Sequence, residues 1–165
     1  MLKKCQPLLI IGLGPIGRFY ARVLSRQNYR VFGIDRDPEV IDESLRNGEI
    51  IAGAITNEPD LINKAAVIIF NAKKEDILNW FSNNSLKGPK LYLDCGTVDL
   101  ESFNKINKLL PESQTFVMSH PYILNGKELV PQELELYPDN EEVKQLGIIL
   151  GFTQLKEIKF GGTNE

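Results

Sequence analysis

The chain has 165 residues, 42% of them hydrophobic, and a formal net charge of −3 with acids and bases interspersed. That size suits one domain with a packed core, and the charge leaves no basic footprint for nucleic acid. No apolar run approaches the roughly 20 residues of a membrane-spanning helix, Met1 to Pro7 lacks a signal-like core, and two cysteines with one histidine offer no metal-ligand spacing, so a cytoplasmic, metal-free protein without membrane insertion is expected.

In chain order, the apolar run Leu8 to Ile11 predicts a first strand near 7–12, and Gly12-Leu13-Gly14-Pro15-Ile16-Gly17 follows it directly. Glycines at this spacing let the chain turn tightly, approach a pyrophosphate and pack the next helix on its strand. That helix carries Ile16, Tyr20, Val23 and Leu24 on one face and ends near Asn28. A second strand near 30–35 ends in Asp35, eighteen positions beyond Gly17. An acidic residue there accepts adenosine ribose hydroxyls and repels a 2′-phosphate, which predicts NAD in preference to NADP. Arg36 stands beside it, where it reads equally as an adenine platform, a 2′-phosphate partner or a solvated side chain. Pro15 suits helix initiation but removes one N–H donor from the anion-binding turn, leaving those of Ile16 and Gly17.

Asp37-Pro38 reads as an N-cap and first helical residue. Further strands are expected near 50–53 and 66–70, the latter continuously apolar through Val67-Ile68-Ile69-Phe70 as a buried parallel strand should be, with Asn71 after it assigned to the cofactor site. Ile77, Leu78 and Phe81 mark a helix, and Lys87-Gly88-Pro89 marks a loop before a strand near 90–94. Leu100, Phe103, Ile106 and Leu110 mark the next helix, followed by a strand near 115–118. Pro121 is expected to start a loop and Asn125-Gly126 to form a tight turn. Asp139 with Glu142 suggests a capping box before a helix bearing Val143, Leu146 and Leu150, and a last strand is expected near 152–159. Apolar strands alternating with amphipathic helices predict a single α/β domain over 1–160, a Rossmann-type, doubly wound, mostly parallel sheet with helices on both faces, and a tail over 161–165.

Sites on open α/β sheets lie beyond the carboxyl ends of the strands. Two segments fall there: Asp94-Cys95-Gly96-Thr97-Val98-Asp99, and Ser119-His120-Pro121-Tyr122 after the strand near 115–118. A neutral imidazole at His120 suits acceptance of an alcohol proton as hydride leaves, and the Thr97 hydroxyl suits orientation of that alcohol. The plainer alternatives are that His120 caps a strand and that Thr97 caps the helix beginning near Asp99. Cys95 reads as a small buried residue rather than a nucleophile.

The glycine motif, Asp94-Cys95-Gly96-Thr97-Val98 and Ser119-His120-Pro121 together resemble the prephenate and arogenate dehydrogenases of tyrosine synthesis, over nearly the whole chain. The resemblance implies a nucleotide-binding domain, an NAD-dependent oxidative decarboxylation of prephenate or a related cyclohexadienol, His120 in the place of the catalytic histidine and Thr97 in the place of a serine. The chain departs from the family at Asp99, where a lysine is usual, and at Phe70-Asn71-Ala72. The family's helical C-terminal domain, with its dimer contacts and carboxylate-binding arginine, is not matched. A homodimer or a separate partner chain completing the site is therefore expected, with Lys73, Lys74 and Lys127 as the nearby cations. The first seventy residues also resemble the nucleotide-sensing domains that regulate potassium transport, which leaves an NAD-binding sensor, or a catalytically inactive relative, as the alternative.

Overall fold

The computed structural model describes residues 2–161, so all but the first residue of the 161–165 segment lies outside the described residues. The elements run β1 (Leu8–Ile11), α1 (Pro15–Arg26), β2 (Val31–Ile34), α2 (Pro38–Arg46), β3 (Ala52–Ala54), α3 (Pro59–Lys64), β4 (Val67–Phe70), α4 (Lys74–Asn83), β5 (Lys90–Asp94), α5 (Leu100–Leu109), β6 (Gln114–Asn125), β7 (Leu129–Tyr137), α6 (Glu141–Leu150) and β8 (Gln154–Glu157). The strands form one sheet of order β3-β2-β1-β4-β5-β6-β7-β8, parallel throughout except where β7 runs antiparallel to β6. This is the expected Rossmann-type α/β architecture.

Two apolar layers hold it. On one side Tyr20, Leu24, Ile41, Leu146 and Leu150 bring α1, α2 and α6 onto the sheet; on the other Ile62, Ile77, Phe81, Phe103 and Ile106 bring α3, α4 and α5. The second layer is aromatic, with Phe70 and Trp80 edge to face at 5.1 Å and Phe81 against Tyr92 at 4.9 Å. Such offset rings fix α4 in place beyond what area burial alone provides.

Chain order reverses between β1 and β4, which flank each other at the centre of the sheet. Register places Ile34, Ile11, Phe70 and Asp94 in one row across β2, β1, β4 and β5. The residues that follow them, Asp35, Gly12, Asn71 and Cys95, therefore stand together at the carboxyl edge, where a crevice opens at the switch point.

Several expectations need correction. The sixth strand does not end at 118: β6 runs on to Asn125 because β7 pairs with it, so Ser119, His120, Pro121 and Tyr122 lie within a strand, and Pro121 starts no loop. The tight turn after Asn125 is present, joining β6 to β7 through Gly126, whose N–H donates to the Glu128 carbonyl at 3.3 Å. The cap of α6 is Asn140, whose side chain accepts from the Val143 N–H at 3.0 Å, while Asp139 pairs with Lys144 at 2.7 Å. No helix among the described residues is long and apolar enough to cross a membrane.

Candidate functional site

The glycine turn is built by close backbone approach. Gly12 has φ +97°, and a Cβ there would overlap the Asn71 carbonyl oxygen; a Cβ at Gly17 would overlap the Gly12 carbonyl oxygen. Gly14 differs. It is the N-cap of α1 in ordinary extended backbone, φ −72°, and a Cβ on it would meet nothing nearer than the Asn71 side-chain nitrogen at 3.5 Å. Gly12 and Gly17 are thus required by the fold, while a Cβ at Gly14 would rest in ordinary contact with Asn71. Pro15 occupies the first turn as expected. Leu13 and Ile16 turn their side chains into the core; the Leu13 backbone N–H donates to Asp35 Oδ2 at 2.7 Å, which ties the turn to the end of β2.

Asp35 is half-buried and its other oxygen accepts the Asp37 N–H at 2.9 Å. Two backbone donors hold the carboxylate in place, and its remaining lone pairs are free to accept further bonds, because an ionised carboxylate has about four acceptor sites. A cleft of about 730 Å³ opens beside it, lined by Gly12, Asp35, Arg36, Ile55, Thr56, Asn71, Ala72, Lys73, Asp76, Asn79 and Trp80 among others. That is room for a drug-sized ligand. Four of the predicted cofactor residues, Gly12, Asp35, Arg36 and Asn71, line it directly; Leu13, Gly14, Pro15, Ile16 and Gly17 are not among its lining residues. The Asn71 amide donates to the Gly12 carbonyl at 3.3 Å, so it spans β4 and the glycine turn. The pieces present suit a dinucleotide: an unobstructed α1 N-terminus for the pyrophosphate, an acceptor at the end of β2 for a ribose, and a cleft between them and α4.

The segments that carry Thr97 and His120 are held by Asp94, the last residue of β5. Asp94, fully buried, accepts the N–H groups of Gly96, Thr97 and Val98 on Oδ2 at 2.9–3.0 Å and that of Ser119 on Oδ1 at 2.8 Å. The Ser119 hydroxyl returns a bond to the Asp94 carbonyl at 2.5 Å. One carboxylate therefore fixes the loop after β5 and the segment of β6 that carries His120. Burial pushes its carboxyl up from the ordinary value, and the bonds from Val98, Ser119, Gly96 and Thr97 pull it back. Asp94→Ala is expected to destabilise the fold by roughly 2–5 kcal/mol, since the buried N–H groups of Val98 and Ser119 would lose their acceptor. Urea unfolding of the variant measures this.

Thr97 does not cap α5. Asp99 does so, accepting the Ser102 N–H at 2.8 Å, and its carboxyl is held well below the usual range by Ser102 and then by Lys74, 3.1 Å away. The Thr97 hydroxyl instead donates to the Ala72 carbonyl at 2.8 Å, which brings it against the cleft wall. His120 is half-buried, its Cδ2 3.9 Å from where a Cβ on Gly96 would stand. A side-chain carbon at Gly96 would be in ordinary contact with the ring, so the ring lies beside the Gly96-Thr97 loop. Side chains alternate along a strand, so His120 shares the face of Phe116 and Met118, the face covered by α4 and α5. Beyond it the same face is uncovered, with Tyr122, Leu124 and Val130 exposed. The cation candidates separate: Lys74 is paired with Asp99, Lys127 sits in the β6–β7 turn, and Lys73 lines the cleft. Burial pushes the Cys95 thiol up, which fits a packed rather than a nucleophilic cysteine.

Against known proteins, the sequence profile of the NAD-binding domain of 6-phosphogluconate dehydrogenase matches residues 8–123, most of the chain. The chain belongs to this family of NAD-binding domains. No curated protein is matched by sequence. Among solved structures, the fold is similar to prephenate dehydrogenase from A. aeolicus in complex with hydroxyphenyl propionate and NAD+, at 19% identity and a TM-score of 0.74, over 92% of this chain and 60% of that one. Synechocystis arogenate dehydrogenase is matched at 18% identity and 0.72, over 92% and 59%. A reductive aminase from Aspergillus terreus, in complex with NADPH and ethyl levulinate, is matched at 14% and 0.67, over 92% and 55%. The chain thus spans three fifths or less of these relatives.

Proposed function

We propose that this domain is the nucleotide-binding part of an NAD-dependent dehydrogenase acting on prephenate or a related cyclohexadienol, with His120 and Thr97 at the reacting centre. The observation that carries the reading is the approach of the Gly96-Thr97 loop, which follows the carboxyl end of β5, to His120 in the middle of β6, next to the cleft that holds Asp35 at its other end.

In this reading Asp35 takes the adenosine ribose, the α1 N-terminus with Gly14 takes the pyrophosphate, and Asn71 borders it. NAD supplies the hydride acceptor. His120 receives the proton of the substrate hydroxyl as the ring C–H leaves as hydride, and the carboxylate departs as carbon dioxide while the ring becomes aromatic. Thr97, whose proton is given to Ala72, presents its lone pairs outward to a hydroxyl donor. The protein's contribution is alignment, worth more here than acid assistance because aromatisation drives the loss of carbon dioxide. The exposed Tyr122, Leu124 and Val130 beside His120 suit a covering body, a second copy or a separate chain, that shields the substrate side from water.

Calorimetry tests both halves. NAD should bind more tightly than NADP, and Asp35→Ala should weaken NAD about 10- to 100-fold, the scale of a lost charged hydrogen-bond pair, while lowering the ratio of the two affinities. The ratio is the informative quantity, because loosening of the Leu13 turn affects both nucleotides alike. Prephenate added to the binary complex should bind. Nucleotide binding with no ternary complex would instead favour a sensor or an inactive relative.

A further inference from the structure

Solved relatives of this fold have been crystallised with NAD+ and with NADPH, so the architecture alone does not choose between them. In this chain the choice falls at the end of β2, where a 2′-phosphate would need a cation. Of the two cations lining the cleft, Lys73 belongs to the α4 wall and Arg36 alone follows β2. Arg36 is 87% exposed, long enough to fold over the adenosine 2′ position, and it is not free. Its guanidinium lies 3.4 Å from Asp76 Oδ2, on the first turn of α4, across the cleft mouth.

We propose that Asp76 is a cofactor-specificity residue: by pairing with Arg36 it withdraws the one cation that a 2′-phosphate could use at the end of β2. The inference rests on the reading that Asp35 takes the adenosine ribose. Asp35 rejects the phosphate directly; Asp76 rejects it by occupying its would-be partner. A ribose hydroxyl, being neutral, is indifferent to both the pair and its loss. A phosphate near −2 must break the Arg36–Asp76 pair and then face two carboxylates with one guanidinium between them. Asp76 also sits in the first turn of α4, where a helix N-terminus favours negative charge. Exposed ion pairs are individually weak, so the expected effect is several-fold rather than a hundredfold, and it should shrink as salt rises.

The test is calorimetric titration of NAD and NADP into the unmodified protein, Asp76→Asn, Arg36→Ala and the double variant at low ionic strength. Both positions are substantially exposed, and Asn keeps the shape of Asp, so folding is retained; circular dichroism verifies it. Asp76→Asn should raise NADP affinity relative to NAD about 3- to 10-fold, and Arg36→Ala in that background should return that ratio to its original value. No gain for NADP in Asp76→Asn overturns the proposal. A gain that survives Arg36→Ala overturns it as well, because Asp76 would then act by repulsion without Arg36. The unmodified protein judges the Asp35 reading separately: equal affinities for NAD and NADP would remove that reading even if Asp76→Asn raised NADP further.

Discussion

Gly14→Val is expected to abolish binding of both NAD and NADP, with a loss of about 100-fold or more, near 2.8 kcal/mol, in a protein that still folds. The separation of these effects comes from the three glycines' different surroundings. At Gly12 and Gly17 any Cβ collides with backbone carbonyl oxygens, and Gly12 also holds a positive φ, so substitutions there damage the turn itself. At Gly14 the backbone angle is one that valine adopts readily, and the nearest atom to a new Cβ is 3.5 Å away. The added Cβ is therefore tolerated by the free protein, and the branch beyond it is expected to stand where a pyrophosphate would approach the α1 N-terminus. Thermal unfolding close to that of the unmodified protein, together with absent calorimetric binding, is the expected pair of results. Folded Gly14→Val that binds NAD normally would mean that the turn is not the phosphate site.

His120→Asn is expected to leave NAD affinity unchanged and to lower turnover of a cyclohexadienol by about 10²- to 10⁴-fold, the usual scale for loss of a general acid–base group. Asparagine approximates the size of the ring and suits the half-buried position on β6, yet it cannot take up a proton near neutral pH. Asp94 and Ser119 hold that part of β6 through backbone bonds that the substitution does not touch. A fall in kcat with constant NAD affinity supports the assigned role. Turnover that survives the change removes it. The measurement is best made over a wide protein concentration range, with molecular size followed in parallel, because a second copy or partner covering Tyr122, Leu124 and Val130 would alter the rate through water exclusion.

The central sheet was legible in the sequence because its strands are buried on both faces and read as continuous apolar runs: Leu8 to Ile11 and Val67 to Phe70 are the plainest. The glycine turn and Asp35 were legible for a different reason, since backbone contact and carboxylate position follow from local spacing. β7 was missed because it obeys another rule. It lies near the sheet's edge, alternates Glu133-Leu134-Glu135-Leu136, and contains Pro131, so it resembles neither a buried strand nor an uninterrupted one. Missing β7 then shortened β6, whose extension to Asn125 exists only because β7 supplies its partners. α3, at six residues with Glu58 at its start, is too short to show helical periodicity. The roles of Gly96, Thr97 and His120 as neighbours depended on Asp94, and that link spans 25 residues. An acidic residue closing the apolar run Leu91-Tyr92-Leu93 was the available signal, because a buried carboxylate requires several donors.

The most direct test of the account uses a property of the composition: the chain has a single histidine. The His120 ring therefore gives unambiguous imidazole signals in a proton–carbon NMR spectrum without any mutation. Titration with ADP-ribose and with NAD separates the two ends of the cleft, since only NAD carries the nicotinamide. Both ligands should shift the backbone signals of Asp35 and Gly14, and only NAD should shift those of the His120 ring. Saturating NAD that moves Asp35 and Gly14 but leaves the His120 ring unchanged would contradict the placement of His120 at the reacting end.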